Sequence, residues 1–310
     1  MNNPPKTIGL VGCGRWGKFI LRDLKSIGCN VVVLALSDKT TKMAKDEHAN
    51  KIVSSYSALF DAHCDGYVIA SPTNTHLQVI KELMVTGKPI FTEKSLSNNV
   101  SGTKELLREN ADYPLYVMDK WKYHNGILKL SELINSGKYG KVTQLTLRRT
   151  QWRSPHQDVD PVWILIPHDI SIAQLLLGKT PKALYATGNK VGEDYIHSVH
   201  AILQVEKSKV IIEVSGDSVS VERSAHVVCE DASFHLANAY TDNIQMMENN
   251  INQFGDKPTD IPFEVNMPLF AELKTFVDFL NDPNVPLQSS FKHGYETIEL
   301  IEQLRNMVSE

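Results

Sequence analysis

Thr7-Ile8-Gly9-Leu10-Val11-Gly12-Cys13-Gly14-Arg15-Trp16-Gly17 is the stretch on which the reading of the whole chain turns. Residues 7–11 form a short apolar run of the kind buried in a parallel sheet. Immediately after it comes G-x-G-x-x-G, and then apolar residues at Trp16, Phe19, Ile20 and Leu24, the spacing of a helix. A strand, a glycine turn and a helix in this order make a cradle for a diphosphate. Gly12 permits the tight turn, Gly14 lets the backbone approach a pyrophosphate, and Gly17 lets helix and strand pack closely. The N–H groups that open the helix then face the phosphates. A glycine-rich turn without ligand is the bland alternative, and the strand–turn–helix context weighs against it. Gly12, Cys13, Gly14, Arg15, Trp16 and Gly17 are therefore cofactor-binding candidates.

Working outward, residues 31–36 read as a second strand and 40–48 as a helix. Strands at 67–70, 89–92 and 115–118 alternate with helices at 75–85 and 100–109. This rhythm predicts an α/β fold whose first domain, 1–121, is a doubly wound parallel Rossmann sheet. After a helix at 125–135 the pattern changes. Strands at 142–149, 183–187, 199–205, 209–214, 225–229 and 233–236 dominate, joined by short polar turns, with one helix at 168–177 ending at Gly178. The second domain, 122–310, is thus expected to be α+β with a large, mostly antiparallel open sheet. Two closing helices, near 268–280 and 295–307, are candidates to pack back on the first domain.

Composition narrows the classes. The chain has 310 residues, 42% hydrophobic and 22% charged, with a formal net charge of −4. No strong field draws it to nucleic acid or anionic lipid. Cys13, Cys29, Cys64 and Cys229 fit no zinc or disulfide framework, and reduced thiols imply a cytoplasmic protein. The polar N-terminus is not expected to be a signal peptide, and the longest apolar run in the first third, 31–36, is far too short for a bilayer. No metal site is predicted: His197 and His200 fall on opposite faces of one strand, and His226 and His235 fall on separate strands without a ligand signature.

Asp38 lies just beyond the second strand, where an acidic side chain accepts hydrogen bonds from ribose hydroxyls and repels a 2′-phosphate. That favours NAD. A register slip of one residue would put Ser37 at the ribose and leave Lys39 to attract a phosphate, so NADP stays open.

Three further segments carry a resemblance. They are Asp65 through His76 (DGYVIASPTNTH), Gly87 through Lys94 (GKPIFTEK) and Trp163 through Ile170 (WILIPHDI). With the glycine motif, their order and spacing resemble the glucose–fructose oxidoreductase / inositol dehydrogenase (Gfo/Idh/MocA) family over nearly the whole chain. The stretches from Tyr123 to Gly140 and around His168 look closest to the branch acting on nucleotide-linked sugars. The resemblance implies an NAD(P)-dependent dehydrogenase or reductase working on a sugar-type hydroxyl or ketone. It implies that Ser71, Pro72, Thr73 and His76 line the nicotinamide ribose, and that Glu93 and Lys94 match the family's Glu-Lys-Pro motif with its active-site lysine. It implies that His168 is the active-site histidine, at the start of a helix. A homodimer or homotetramer is the oligomer it implies.

Hydride transfer at a carbinol carbon needs a partner for the hydroxyl proton, and a group titrating near neutrality suits that task. His168 meets the requirement unadjusted. Lys94 is assigned to polarise the same oxygen, and the two roles are exchangeable. Lys122, Tyr123 and Asp169 are the substrate-binding candidates, and Arg148, Arg149 and Arg153 with Trp152 form a cluster suited to an anionic sugar nucleotide. Two departures from the family pattern matter. Ile164 stands where an aspartate would orient the site, with Asp158, Asp160 and Asp169 as possible substitutes. Ser95 stands where the motif has proline. A cofactor-binding regulator without chemistry, and a reductase of a cyclic imine or another non-sugar carbonyl compound, are the competing readings.

Overall fold

The structure, a computed structural model, describes residues 4–154, 158–192, 194–248 and 255–309. The chain divides into two compact units, residues 1–120 with 268–298, and residues 121–267 with 299–310.

Unit 1 is built from strands β1 (Thr7–Val11), β2 (Asn30–Leu34), β3 (Lys51–Val53), β4 (Gly66–Ile69), β5 (Ile90–Glu93) and β6 (Leu115–Met118). They form a six-stranded parallel sheet in the order β3-β2-β1-β4-β5-β6. The order reverses between β1 and β4, which is where a doubly wound sheet opens its ligand crevice. Helices α1 (Gly17–Ile27), α2 (Asp38–Asp46), α3 (Tyr56–Phe60), α4 (His76–Met84) and α5 (Val100–Glu109) connect the strands. Ser37, Ser55 and Asn99 start α2, α3 and α5 with side-chain oxygens that accept from the first turn. The core holds Ile8, Leu10, Val31, Val33, Val68 and Phe91 from the sheet and Ile20, Leu21 and Leu24 from α1. A late helix of the chain, Pro268–Asn281, lies against α1 and adds Leu273 and Phe276, the latter stacked on Phe91 at 4.9 Å.

Unit 2 begins with α6 (Asn125–Asn135), capped by the ring of His124, which accepts from the Gly126 N–H. It continues with β7 (Val142–Trp152), α7 (Pro161–Leu177), β8 (Lys182–Val191), β9 (Tyr195–Val205), β10 (Ser208–Ser215), β11 (Asp217–Cys229), β12 (Ala232–Leu236), β13 (Asn243–Glu248) and β14 (Thr259–Pro262). The eight strands form one sheet, β14-β13-β12-β11-β7-β10-β9-β8. All pairings are antiparallel except β7 with β10, which run parallel. Along β7 the residues Leu145, Leu147 and Arg149 are buried, while Gln144, Thr146 and Arg148 between them are only half-buried, the alternation of a sheet covered on one face. α7 lies against β7, β9 and β10 on the covered side. The last helices are α8 (Pro268–Asn281) and α9 (Phe291–Ser309). The first turns of α9 belong to unit 1 and the remainder to unit 2.

One expectation about α7 is corrected. The sequence reading started this helix at about His168. The helix instead starts at Pro161 with Asp160 as N-cap, its carboxylate accepting from the N–H groups of Val162 and Trp163, and Pro167 is carried inside it. Proline at 161 fits the first turn, where its missing N–H costs nothing. His168 therefore sits mid-helix, two turns in, not at a helix start. The sequence reading also missed β3, α3, β13 and β14.

Candidate active site

In unit 1 the glycine loop has the shape its motif demands. Gly12 adopts φ +93°, and a Cβ there would meet the backbone of Ala70 and Ser71 at 2.8–2.9 Å. A Cβ on Gly17 would stand 2.4 Å from the Gly12 carbonyl oxygen. Gly14 differs: a Cβ there would meet nothing within 4 Å. Two glycines are forced by the protein's own backbone, and the middle one faces open space. α1 starts at this loop with no acidic residue in its first turn and no side-chain cap at Trp16, so nothing of its own neutralises the positive end of the helix. Cys13 is buried and Arg15 exposed. Burial pushes the Cys13 thiol up to about 11. These residues fit a dinucleotide diphosphate.

The loops after β4 and β5 join this cradle. His76 is buried, with Nδ1 2.8 Å from the Ser95 carbonyl oxygen and Nε2 2.9 Å from that of Ser71. The imidazole therefore ties the Ser71 loop to the segment that presents Lys94, a positioning role that the sequence reading did not give it. Pro72 opens a 3-10 turn over Thr73–Thr75, and Thr73 is buried. The Lys94–Ser95 peptide is cis, although serine replaces the motif's proline. Glu93 accepts a hydrogen bond from the Trp16 indole N–H, and Lys120 lies over the Trp16 ring, 4.8 Å from its centroid. Burial pushes the Glu93 carboxyl above its ordinary value, against the pull of Lys94 and the Trp16 hydrogen bond. Beside it, Glu272 of α8 is almost wholly buried, and its Oε2 has no hydrogen-bond partner among the described residues. Its carboxyl is pushed well up by desolvation and by the charges of Glu93 and Asp119. Sequence reasoning missed Glu272 because it lies far along the chain from Glu93 and carries no motif.

Asp38 is the first residue of α2 and exposed, whereas Ser37 is its N-cap, with Oγ accepting from the Thr40 N–H at 3.3 Å. The Ser37 hydroxyl is thus already engaged in a capping box, leaving Asp38 the less committed of the two.

In unit 2, Trp121, Lys122, Tyr123 and His124 are all buried. Lys122 donates to Gln174 at 3.0 Å. The Asp169 carboxylate takes three hydrogen bonds from Arg149, at 2.9–3.1 Å, and both side chains are buried. Burial pushes the Asp169 carboxyl up and the Arg149 guanidinium pulls it back. Asp169 is therefore a partner of Arg149 at the sheet. Asp160, another of the carboxylates near Ile164 in sequence, caps α7, accepts from the Ile196 N–H at 3.1 Å and pairs with Arg305. Arg148 pairs with Glu213 and Glu222, each at 2.7 Å. Of the arginine cluster, then, two guanidiniums are neutralised inside the unit. His168 packs against the Trp121 indole with ring centroids 6.4 Å apart. His226 and His235 face each other across β11 and β12 with centroids 5.8 Å apart.

A profile of the oxidoreductase family Gfo/Idh/MocA, NAD-binding Rossmann fold, matches residues 6–118, and the family's C-terminal domain matches residues 127–235. The chain belongs to the Gfo/Idh/MocA oxidoreductase family. Among its relatives is a myo-inositol 2-dehydrogenase of Thermotoga maritima, 24% identical over 201 residues, covering 61% of this chain and 60% of the relative. The first relatives match over 55–60% of their own length. Two solved structures share the fold over nearly the whole chain. A UDP-N-acetylglucosamine 3-dehydrogenase of Acidithiobacillus ferrooxidans superposes with a TM-score of 0.83 at 18% identity, covering 99% of both chains. An oxidoreductase of Agrobacterium radiobacter, in complex with NAD+, L-tartaric acid and magnesium, gives 0.85 at 16% identity, covering 99% of this chain and 97% of that one. No helix among the described residues is long and apolar enough to cross a membrane.

Proposed function

We propose that this member of the Gfo/Idh/MocA family is an NAD-dependent dehydrogenase or reductase that interconverts a secondary hydroxyl and a ketone on a sugar or polyol. The observation that carries the reading is the glycine loop, tight at Gly12 and Gly17 and open at Gly14. Gly12 to Gly17 would hold the diphosphate, Asp38 the adenosine ribose, and Ser71, Pro72 and Thr73 the nicotinamide ribose. Asp38 beside an engaged Ser37 favours NAD over NADP. When bound, the cofactor supplies or accepts the hydride.

The chain's own residues handle the proton. His168 takes it from the substrate hydroxyl or returns it. Lys94 would donate a hydrogen bond to a substrate oxygen and favour its developing negative charge. Lys122 and Tyr123 remain substrate-binding candidates. Asp169 is withdrawn from that role by its bond to Arg149. Because Arg148 and Arg149 are neutralised by their own carboxylates, the arginine cluster is poorly suited to a nucleotide diphosphate, which favours a free sugar or polyol over a nucleotide-linked one. Four buried thiols suit a reducing, cytoplasmic setting. Tyr185 and Ile202, side by side on β8 and β9 and 59% and 43% exposed, support self-association through the sheet.

The test is absorbance at the reduced-nicotinamide band across a panel of polyols, aldoses, sugar nucleotides and cyclic imines. Lys94→Ala and His168→Ala should each lower kcat by roughly 10²–10⁴-fold, and full activity in both would overturn the assignment. One observation favours a second reading. The residue one helical turn before His168 is the buried, hydrocarbon Ile164, which supplies no charge to the site. A cofactor-binding protein without chemistry would bind NAD and turn over nothing on the panel.

A further inference from the structure

His168 projects from the middle of α7, and an imidazole that carries protons in a reaction must be held at one angle. A helical residue is flanked on its own face by the side chains three and four positions away. Behind His168 those are Leu165 and Ile164, both buried and both hydrocarbon. Ahead of it stands Ser171, whose hydroxyl donates to the His168 carbonyl oxygen, and the imidazole has a further neighbour on another element.

Trp121 is that neighbour. Its indole and the His168 ring meet at 62° with centroids 6.4 Å apart, an edge-to-face arrangement of the kind that contributes about 0.5–1.5 kcal/mol for aromatic pairs. The indole is itself immobilised. The Arg149 guanidinium lies over it, 4.4 Å from the ring centroid, and is fixed in turn by its three hydrogen bonds to Asp169. The His124 ring stacks on Trp121 at 5.1 Å and 27°. His124 is held by capping the Gly126 N–H and by its Nε2 at 2.9 Å from the Ala239 carbonyl oxygen. Asp169 is the residue directly after His168. A closed path therefore runs from the backbone of α7 through Asp169, Arg149 and Trp121 back to the His168 ring.

We infer that Trp121 is a positioning residue for His168, and that the Asp169–Arg149 pair holds the indole to that task. The inference rests on the assignment of His168 as proton carrier, but its geometry stands within unit 2 alone. Replacing an outer supporting residue of this sort commonly costs 10–100-fold in activity, by the range known for groups that orient ligating histidines.

The experiment is a histidine-labelled NMR titration of the full chain, with His168→Gln assigning the His168 signal. Trp121→Leu should shift the His168 titration midpoint and lower kcat roughly 10–100-fold, with the KM for NAD changed less than about twofold because the dinucleotide loop is untouched. Trp121→Phe should restore both values most of the way, since an aromatic face remains. Arg149→Lys, which keeps the charge and loses the planar fork, should move the titration in the same direction by less, and serves if Trp121→Leu does not fold. A His168 titration unmoved by Trp121→Leu, or by Arg149→Lys where that is the folded variant, would overturn the inference. So would Trp121→Phe behaving no better than Trp121→Leu. A moved titration in a protein that turns over no substrate would leave the positioning role standing and refute the proposed activity instead.

Discussion

Single residues in unit 1 separate packing from binding. Gly17 has no room for a methyl group, because the Gly12 carbonyl oxygen lies 2.4 Å from where it would sit. Gly17→Ala should therefore destabilise the protein, by about 1–3 kcal/mol as overpacking does, measurable as a lower denaturation midpoint in urea. Glu272 answers to pH. Its carboxyl is raised well above the ordinary value by burial and by Glu93 and Asp119. As pH rises from the unfolded carboxylate's value toward the folded one, the unfolded chain releases its proton first, and stability falls. Glu272→Gln removes that loss. The variant should match the wild type near pH 4 and exceed it at pH 8, by about 1–3 kcal/mol if the orphaned oxygen is the main cost. Urea melts at the two pH values check it, and a wild type equally stable relative to the variant at both would contradict the reading.

At the scale of elements, α7 is the most instructive. Asp160 caps it, bonds the Ile196 N–H and pairs with Arg305. Asp160→Ala should cost at least about 2 kcal/mol, since a lost cap leaves further buried partners unsatisfied. Asp160→Asn keeps an oxygen for the cap and should recover part of that, as thermal melts of the two variants would show. The helix also shows why its start was misplaced from sequence. Pro167 reads locally as a boundary, and only packing of the helix against β7, β9 and β10 tells that it continues through. The helices over Val100–Glu109 and Asn125–Asn135 were legible to the residue, because their apolar spacing and end residues agree. β3, with three residues, is too short for any period to register, and β14, Thr-Asp-Ile-Pro, carries a single aliphatic residue. The parallel pairing of β7 with β10 was equally hidden, since the residues of a strand do not state which neighbour it will choose.

At the scale of the whole molecule, the Rossmann sheet and the large open sheet were legible because strand–helix alternation and a run of strands leave different periods in the sequence. The dinucleotide loop was legible because its three glycines fall at a fixed spacing within six residues, between a strand and a helix. The support around each candidate group was not. Glu272 beside Glu93, and Arg149 over Trp121, join residues far apart in the chain that no motif links. Asp169 shows the same limit, since its place after His168 invited a substrate role that its bond to Arg149 removes. The exposed Tyr185 and Ile202 predict a homo-oligomer in solution. Light scattering should give at least twice the 34.8 kDa of one chain, and Tyr185→Lys with Ile202→Lys should lower that mass while leaving NAD binding intact. The most direct test of the account is a calorimetric titration of NAD into the wild type and into Gly14→Val, whose Cβ would meet nothing within 4 Å. The account predicts saturable one-site binding to the wild type and its loss in a variant that melts at the same temperature. Undiminished binding to Gly14→Val, or none to the wild type at millimolar NAD or NADP, would contradict it.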